Sequence, residues 1–131
     1  NEIIQLTIGA SSVDMINNIS NSIEENEENI VKIENRYKAN INGNSLNLIN
    51  IINKNASKGN AIWCLCKYLK IDLKDVIAIG DEGNDLSMIR VAGLGIAMEN
   101  SEEKIKMEAD EITKSNIQNG VAEVLYKYFW L

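Results

Sequence analysis

Histidine is absent from the 131 residues. Its absence excludes a Ser-His-Asp or Cys-His nucleophile arrangement and any histidine-ligated zinc site. Proline is absent too, so glycine and asparagine must make the turns. The two cysteines, Cys64 and Cys66, are too few for a disulfide framework and too close for a normal bridge inside a helix. A cytoplasmic chain is therefore the expectation. Basic residues are scarce, 13 against 19 acidic for a net charge of −6. That balance argues against nucleic acid as a partner, because a phosphate backbone demands a positive footprint. It leaves a small phosphorylated substrate open, since one lysine and a metal ion can supply the charge. No apolar run approaches the ~20 residues of a membrane span, and no basic region followed by a long apolar stretch opens the chain. A membrane partner is not expected. The first residue is Asn1 rather than methionine, as in a chain that is processed or cut from something longer.

What is present divides in two. Residues 2–8 read as a strand. Ser11 or Ser12 then offers an N-cap to a helix whose apolar positions, Val13, Ile16, Ile19 and Ile23, recur every three or four residues. The acidic run 24–28 ends that helix as a solvated surface or turn. Residues 29–37 and 45–53 read as strands flanking Asn42-Gly43-Asn44, a hairpin-type turn. From about Ser57 the pattern changes. A helix to Lys70, with Ile62, Leu65, Cys66 and Leu69 expected inward, precedes Val76-Ile77-Ala78-Ile79, whose apolar run suits the middle of a parallel sheet. A polar loop, a helix from about Leu86 to Val91 and the strand 94–98 follow. Ser101 is the expected cap of the next helix, and a short strand at 111–113 and a terminal helix from about Asn119 to Phe129 complete the chain. Alternating strands and helices predict an α/β unit, with a domain boundary between residues 53 and 57.

Chemistry concentrates in Gly80-Asp81-Glu82-Gly83-Asn84-Asp85. Two carboxylates and a carboxamide stand just past the carboxyl end of an apolar strand, where open α/β sheets bind ligands. Asp81 and Asp85 lie four apart, and two nearby carboxylates repel unless a proton or cation intervenes. Hard oxygen donors suit Mg²⁺, which keeps waters and shares phosphate oxygens. The plainer alternative is that both aspartates cap the following helix. Ser57-Lys58-Gly59 opens a helix with a cation where a helix prefers an anion. A bound phosphate reconciles the two, and a solvated surface lysine is the plainer alternative. Gly93-Leu94-Gly95 lacks the third glycine of a dinucleotide fingerprint.

Taken in order, Ser57-Lys58-Gly59, the run from Val76 to Ile89, the run from Ala92 to Asn100, Ala109–Thr113 and Gly120-Val121 resemble the haloacid dehalogenase superfamily, and within it the Cof-like phosphatase branch. The resemblance runs from about Leu46 to the C-terminus. It implies a partial Rossmann-like α/β core over residues 55–131, preceded by the C-terminal part of an α+β cap domain over residues 1–54. It also implies phosphoryl transfer through an aspartyl-phosphate with Mg²⁺ as cofactor. In that scheme Lys58 steadies phosphate and nucleophile, and Asp81 and Asp85 hold the metal. Asn84, Asn100 and Asn116 lie toward phosphate or substrate. The family's first motif, Asp-x-Asp-x-Thr/Val, occurs nowhere in the chain. The expectation is thus the C-terminal half of such an enzyme, inactive alone, with a small phosphorylated metabolite as substrate. It would either self-associate or await a missing N-terminal half. A P-type ATPase phosphorylation domain shares some elements, but Leu86-Ser87-Met88-Ile89 departs from it and no Asp-Lys-Thr-Gly is present. A non-catalytic binding module that pairs through an exposed sheet edge is the alternative of another class.

Overall fold

The computed structural model describes residues 5–27 and 31–129. The chain forms two compact units, Asn1–Ala56 and Ser57–Leu131.

In the first unit, β1 (Gln5–Ala10), α1 (Val13–Glu27), β2 (Val31–Ile41) and β3 (Asn44–Asn53) follow one another. The antiparallel sheet has the order β1-β3-β2. Asn42 and Gly43, at φ 52° and 81°, close the β2–β3 hairpin between Ile41 and Asn44. This two-residue turn sets the register, and pairing carries β2 on to Ile41 rather than ending it at Tyr37. Ile16, Ile49, Ile51 and Ala10 form the core, with Ile8, Ile19, Ile23 and Ile33 packed against it. The helical spacing of α1 therefore delivers its inner face as expected, save for Val13, half exposed in its first turn. Glu24, in the acidic run, pairs with Arg36 at 3.0 Å. Residues 2–4 of the first expected strand, 29–30 of the second, and Glu28 lie outside the described residues.

The second unit is α/β. Its elements are α2 (Lys58–Leu69), β4 (Ile77–Gly80), α3 (Leu86–Val91), β5 (Leu94–Met98), α4 (Glu103–Lys106), β6 (Glu111–Thr113) and α5 (Gly120–Phe129). Short 3-10 turns lie at Leu73–Asp75, Gly83–Asp85 and Asn116–Gln118. The sheet is parallel with order β4-β5-β6. Ile89, Ala97 and Ile105 are its inner cluster. Asp110 extends the pairing beyond β6: its backbone N–H donates to Gly95 O at 2.8 Å, and its carboxylate accepts from Gly95 N at 2.8 Å. On α5, Lys127 and Tyr128 both donate to Glu111 of β6, at 2.7 and 2.6 Å.

Three local expectations change. Leu65 and Leu69 are 55% and 50% exposed rather than inward; α2 seats its Gly59 and Cys66 side, leaving the rest of its apolar face open. Ser101 does not cap α4. It is buried and its hydroxyl donates to Gly80 O at 3.4 Å, while Glu102 takes the cap position. Finally, β4 is an edge strand of the described sheet, not its middle, although it carries the apolar pattern of an interior strand.

Ile49 is fully buried at the centre of β3. Truncating it to alanine removes packed methyl groups that the sheet cannot fill. Ile49→Ala is expected to destabilise the first unit by about 2–5 kcal/mol, read as a lowered urea midpoint.

Candidate functional site

Because β4, β5 and β6 run parallel, their carboxyl ends share one edge. Asp81 directly follows β4, Asn100 follows β5 by two residues, and Asn116 follows β6 by three. Three residues far apart in sequence are thus delivered to one rim, the place where open α/β sheets bind ligands. Lys58 reaches the same rim from the first turn of α2.

Asp85 organises the rim. Its side chain is only 7% exposed, and an ionised carboxylate so placed needs compensation. Oδ2 accepts the backbone N–H groups of Asp81 and Glu82 at 3.0 and 3.1 Å. Oδ1 accepts Lys58 Nζ in a short hydrogen bond. Burial pushes the Asp85 carboxyl up, but the Lys58 bond and the two amides outweigh it and hold the group below its usual range. Gly80 makes room. A Cβ there would stand 2.4 Å from Asp85 Cβ, so a side chain at position 80 would evict the carboxylate. The capping alternative describes half of what Asp85 does, since one oxygen holds the loop's amides and the other holds the lysine.

Lys58 is placed by the approach of α2 to α3. Ser57 caps α2, its hydroxyl accepting Asn60 N at 3.0 Å. Gly59 N donates to Ser87 Oγ at 3.1 Å, and a Cβ on Gly59 would fall 2.3 Å from Ser87 O. The two helices touch backbone to backbone there, which sets the lysine beside Asp85. Its side chain remains 48% exposed, so the ammonium can face an incoming anion.

Asp81 Oδ2 accepts Asn100 Nδ2 at 3.0 Å, and Asn100 Oδ1 accepts the backbone N–H of Asn116 at 3.0 Å. Lys58, Asp81, Asp85 and Asn100 are therefore gathered on one rim. Asn116 joins it through its backbone. Asn84 lies in the 3-10 turn between the two aspartates, with Oδ1 buried and without a hydrogen-bond partner. Two residues that act here escaped the sequence reading, Ser87 and Ser101. A serine two positions past Asp85 resembles any helical serine, and only the contact with Gly59 marks it. Ser101 offered a capping signal that pointed elsewhere.

Mg²⁺ is the cation such oxygens suit. Among the described residues, no three Asp, Glu, Cys or His side chains converge on one point. The donors are all hard oxygens, and Asn84, in the turn between the two aspartates, carries a buried and unpartnered Oδ1. This set fits Mg²⁺, which takes one or two carboxylates and completes its shell with water and phosphate. Both Asp85 oxygens already accept protein donors, whereas Asp81 accepts Asn100 on Oδ2.

Comparison with known proteins shows what the chain is similar to. Residues 4–125 match the haloacid dehalogenase-like hydrolase family. A 5-amino-6-(5-phospho-D-ribitylamino)uracil phosphatase of Bacillus subtilis, YcsE, is 37% identical over 112 residues, covering 86% of this chain and 41% of that protein. A chloroplastic endoribonuclease of Arabidopsis thaliana, YBEY, is 38% identical over 91 residues, covering 70% of this chain and 16% of that protein. The crystal structure of a haloacid dehalogenase-like hydrolase from Bacteroides thetaiotaomicron superposes with a TM-score of 0.74 at 29% identity, covering 98% of this chain and 45% of that one. The chain spans less than half the length of each.

The depressed Asp85 pKa couples stability to pH. A carboxyl whose folded pKa lies below its unfolded value stabilises the fold above the unfolded value, ~3.9. That contribution disappears as pH falls through the folded value. Asp85→Asn is expected to lower the urea midpoint at pH 7, and the gap to the wild type should close as pH falls below about 4. A gap that stays constant down to pH 2 would contradict the Asp85 assignment.

Proposed function

The chain belongs to the haloacid dehalogenase-like hydrolase family, and from that premise we propose that it is the C-terminal half of a Mg²⁺-dependent phosphatase acting on a small phosphorylated metabolite. The observation that carries the reading is the meeting of Lys58 with the buried Asp85, beside Asp81, at the carboxyl end of β4. Residues 1–54 are then the closing part of a cap domain and 55–131 the closing part of the core. Three features support the half-enzyme reading. No Asp-x-Asp occurs in the sequence, the chain covers under half of its relatives, and β4 has an interior strand's composition at a sheet edge. Unpaired thiols at Cys64 and Cys66 suit a cytoplasmic setting.

In this reading each residue has a definite task. Lys58 holds a phosphate oxygen with its exposed ammonium while Asp85 holds that ammonium in place. Asp81 and Asp85 would hold Mg²⁺, and Asn84, whose Oδ1 is buried without a hydrogen-bond partner, lies in the turn between them. When bound, the metal neutralises the charge of the approaching phosphoryl group. The nucleophilic aspartate and its acid partner belong to the complementary half, so this chain binds and orients without completing a cycle.

The isolated chain is expected to give no Mg²⁺-dependent hydrolysis of p-nitrophenyl phosphate above the blank. It should still bind inorganic phosphate in the presence of Mg²⁺, detected as amide shifts around Lys58 and Asp81. Lys58→Ala should weaken that binding roughly tenfold, the loss of one charge-assisted hydrogen bond. Turnover that disappears in Asp81→Ala would defeat the half-enzyme reading, and phosphate binding indifferent to Lys58 would defeat the site.

A further inference from the structure

The geometry points to Asn100 as a positioning residue for Asp81, anchored by the backbone N–H of Asn116 rather than by contact with substrate. The inference rests on the reading of Asp81 as a metal ligand and departs from a phosphate- or substrate-facing role for Asn100 and Asn116.

The argument begins with the direction of the two hydrogen bonds. The backbone N–H of Asn116 can only donate, and an ionised carboxylate can only accept. Asn100 receives the first on Oδ1 and gives Nδ2 to the second, both at 3.0 Å. Its carboxamide orientation is therefore dictated from both ends, and no other side chain of that length does the same. Aspartate would accept from Asn116 but repel Asp81, and alanine would do neither.

Asn100 is an exposed residue. An exposed carboxamide has water available at both ends, yet this one engages protein at both. The three residues follow the ends of β4, β5 and β6 in turn, so the bonds form a rung across the rim of the parallel sheet. Asn116 is itself held: it opens the 3-10 turn Asn116–Gln118, where Ser115 O accepts Gln118 N at 3.0 Å and Gly120 N at 3.1 Å. Asp81 Oδ2 is thus tied through one carboxamide to a backbone fixed on β6 and α5. A metal-ligating carboxylate needs such a tie, because a ligand free to rotate loses orientation each time the ion leaves.

The experiment compares the wild-type chain with Asn100→Ala, Asn116→Pro and Asp81→Asn in a MgCl₂ titration followed by amide chemical shifts in the Asp81–Asp85 loop. Amide hydrogen exchange at Asn116 is recorded for every variant that retains the proton. Asn116→Pro deletes the donor together with the Asn116 carboxamide, and Asn116→Ala, which keeps the donor, is the control expected to hold the wild-type midpoint. Position 116 opens its turn, and Ser115 at φ −68°, ψ 168° has the extended backbone that precedes proline. Asn100→Ala is expected to raise the Mg²⁺ midpoint about tenfold, the lower end for a side chain that supports a ligand. It should also speed exchange at Asn116. Asn116→Pro should shift the midpoint in the same direction with the Asn100 side chain intact. Asp81→Asn should abolish the response while leaving the Asn116 proton protected. If Asp81→Asn abolishes binding but Asn100→Ala keeps the wild-type midpoint, the positioning role falls and the metal reading stands. If Asn100→Ala weakens binding of inorganic phosphate at an unchanged Mg²⁺ midpoint, Asn100 contacts the anion and the inference is overturned. A wild-type chain that shows no Mg²⁺ response overturns the metal reading and this inference together.

Discussion

Asp85 sits almost wholly out of water at the end of a strand, and the second unit is arranged around keeping it charged. Its two oxygens draw in three donors from two places: the ammonium of Lys58 at the start of α2, and the amides of Asp81 and Glu82 in the loop after β4. Removing one donor leaves a buried charge under-compensated, a larger penalty than the net worth of the bond itself. The pair is therefore a constraint on backbone as much as an ion pair. It dictates that position 80 lack a side chain, that α2 begin at this rim, and that Gly59 lie close enough to Ser87 for the helices to touch. Only one member of the pair is buried; Lys58 stays half in water. That asymmetry separates a site from a structural bridge, for a lysine wholly consumed by its carboxylate would have nothing left to offer an anion.

The sequence was legible where a residue's role is local. Asn42-Gly43 announces a hairpin, the three- and four-residue spacing of isoleucines announces the inner face of α1, and alternating short apolar runs with helices announce an α/β unit. A cation at the start of α2 was readable as a misfit with the helix dipole. The identity of its partner was not, because several acidic groups stand downstream and spacing alone does not choose among them. Ser87 and Ser101 act through contacts made only once helices and strands are packed, and their immediate neighbours in sequence carry no trace of it. Leu65 and Leu69 were misplaced for a related reason. An apolar stripe says that a face wants covering, not which part of it this chain covers.

The composition of β4 bears on the same point. Ile77, Ala78 and Ile79 belong to a strand flanked on both sides, yet in the described sheet β5 alone pairs with it. An edge built this way has neither the charged residues nor the bulges by which natural sheets discourage further pairing. The open apolar face of α2 carries the same message from the neighbouring layer. Both features, together with the absent Asp-x-Asp and the partial coverage of relatives, are what a half-core would display.

The order of strands in the parallel sheet carries one more consequence, for assembly. β4, β5 and β6 are neighbours in space in the same order as in the chain, and each crossover is brief. Loop closure is entropically inexpensive at such separations, and contacts between near neighbours form early. The rim that gathers Asp81, Asn100 and Asn116 closes over separations of 19 and 16 residues. Lys58 arrives across the longest reach, 27 residues from Asp85. The acidic side of the site thus closes over shorter loops than the basic side, a difference in closure entropy of only about 0.4 kcal/mol.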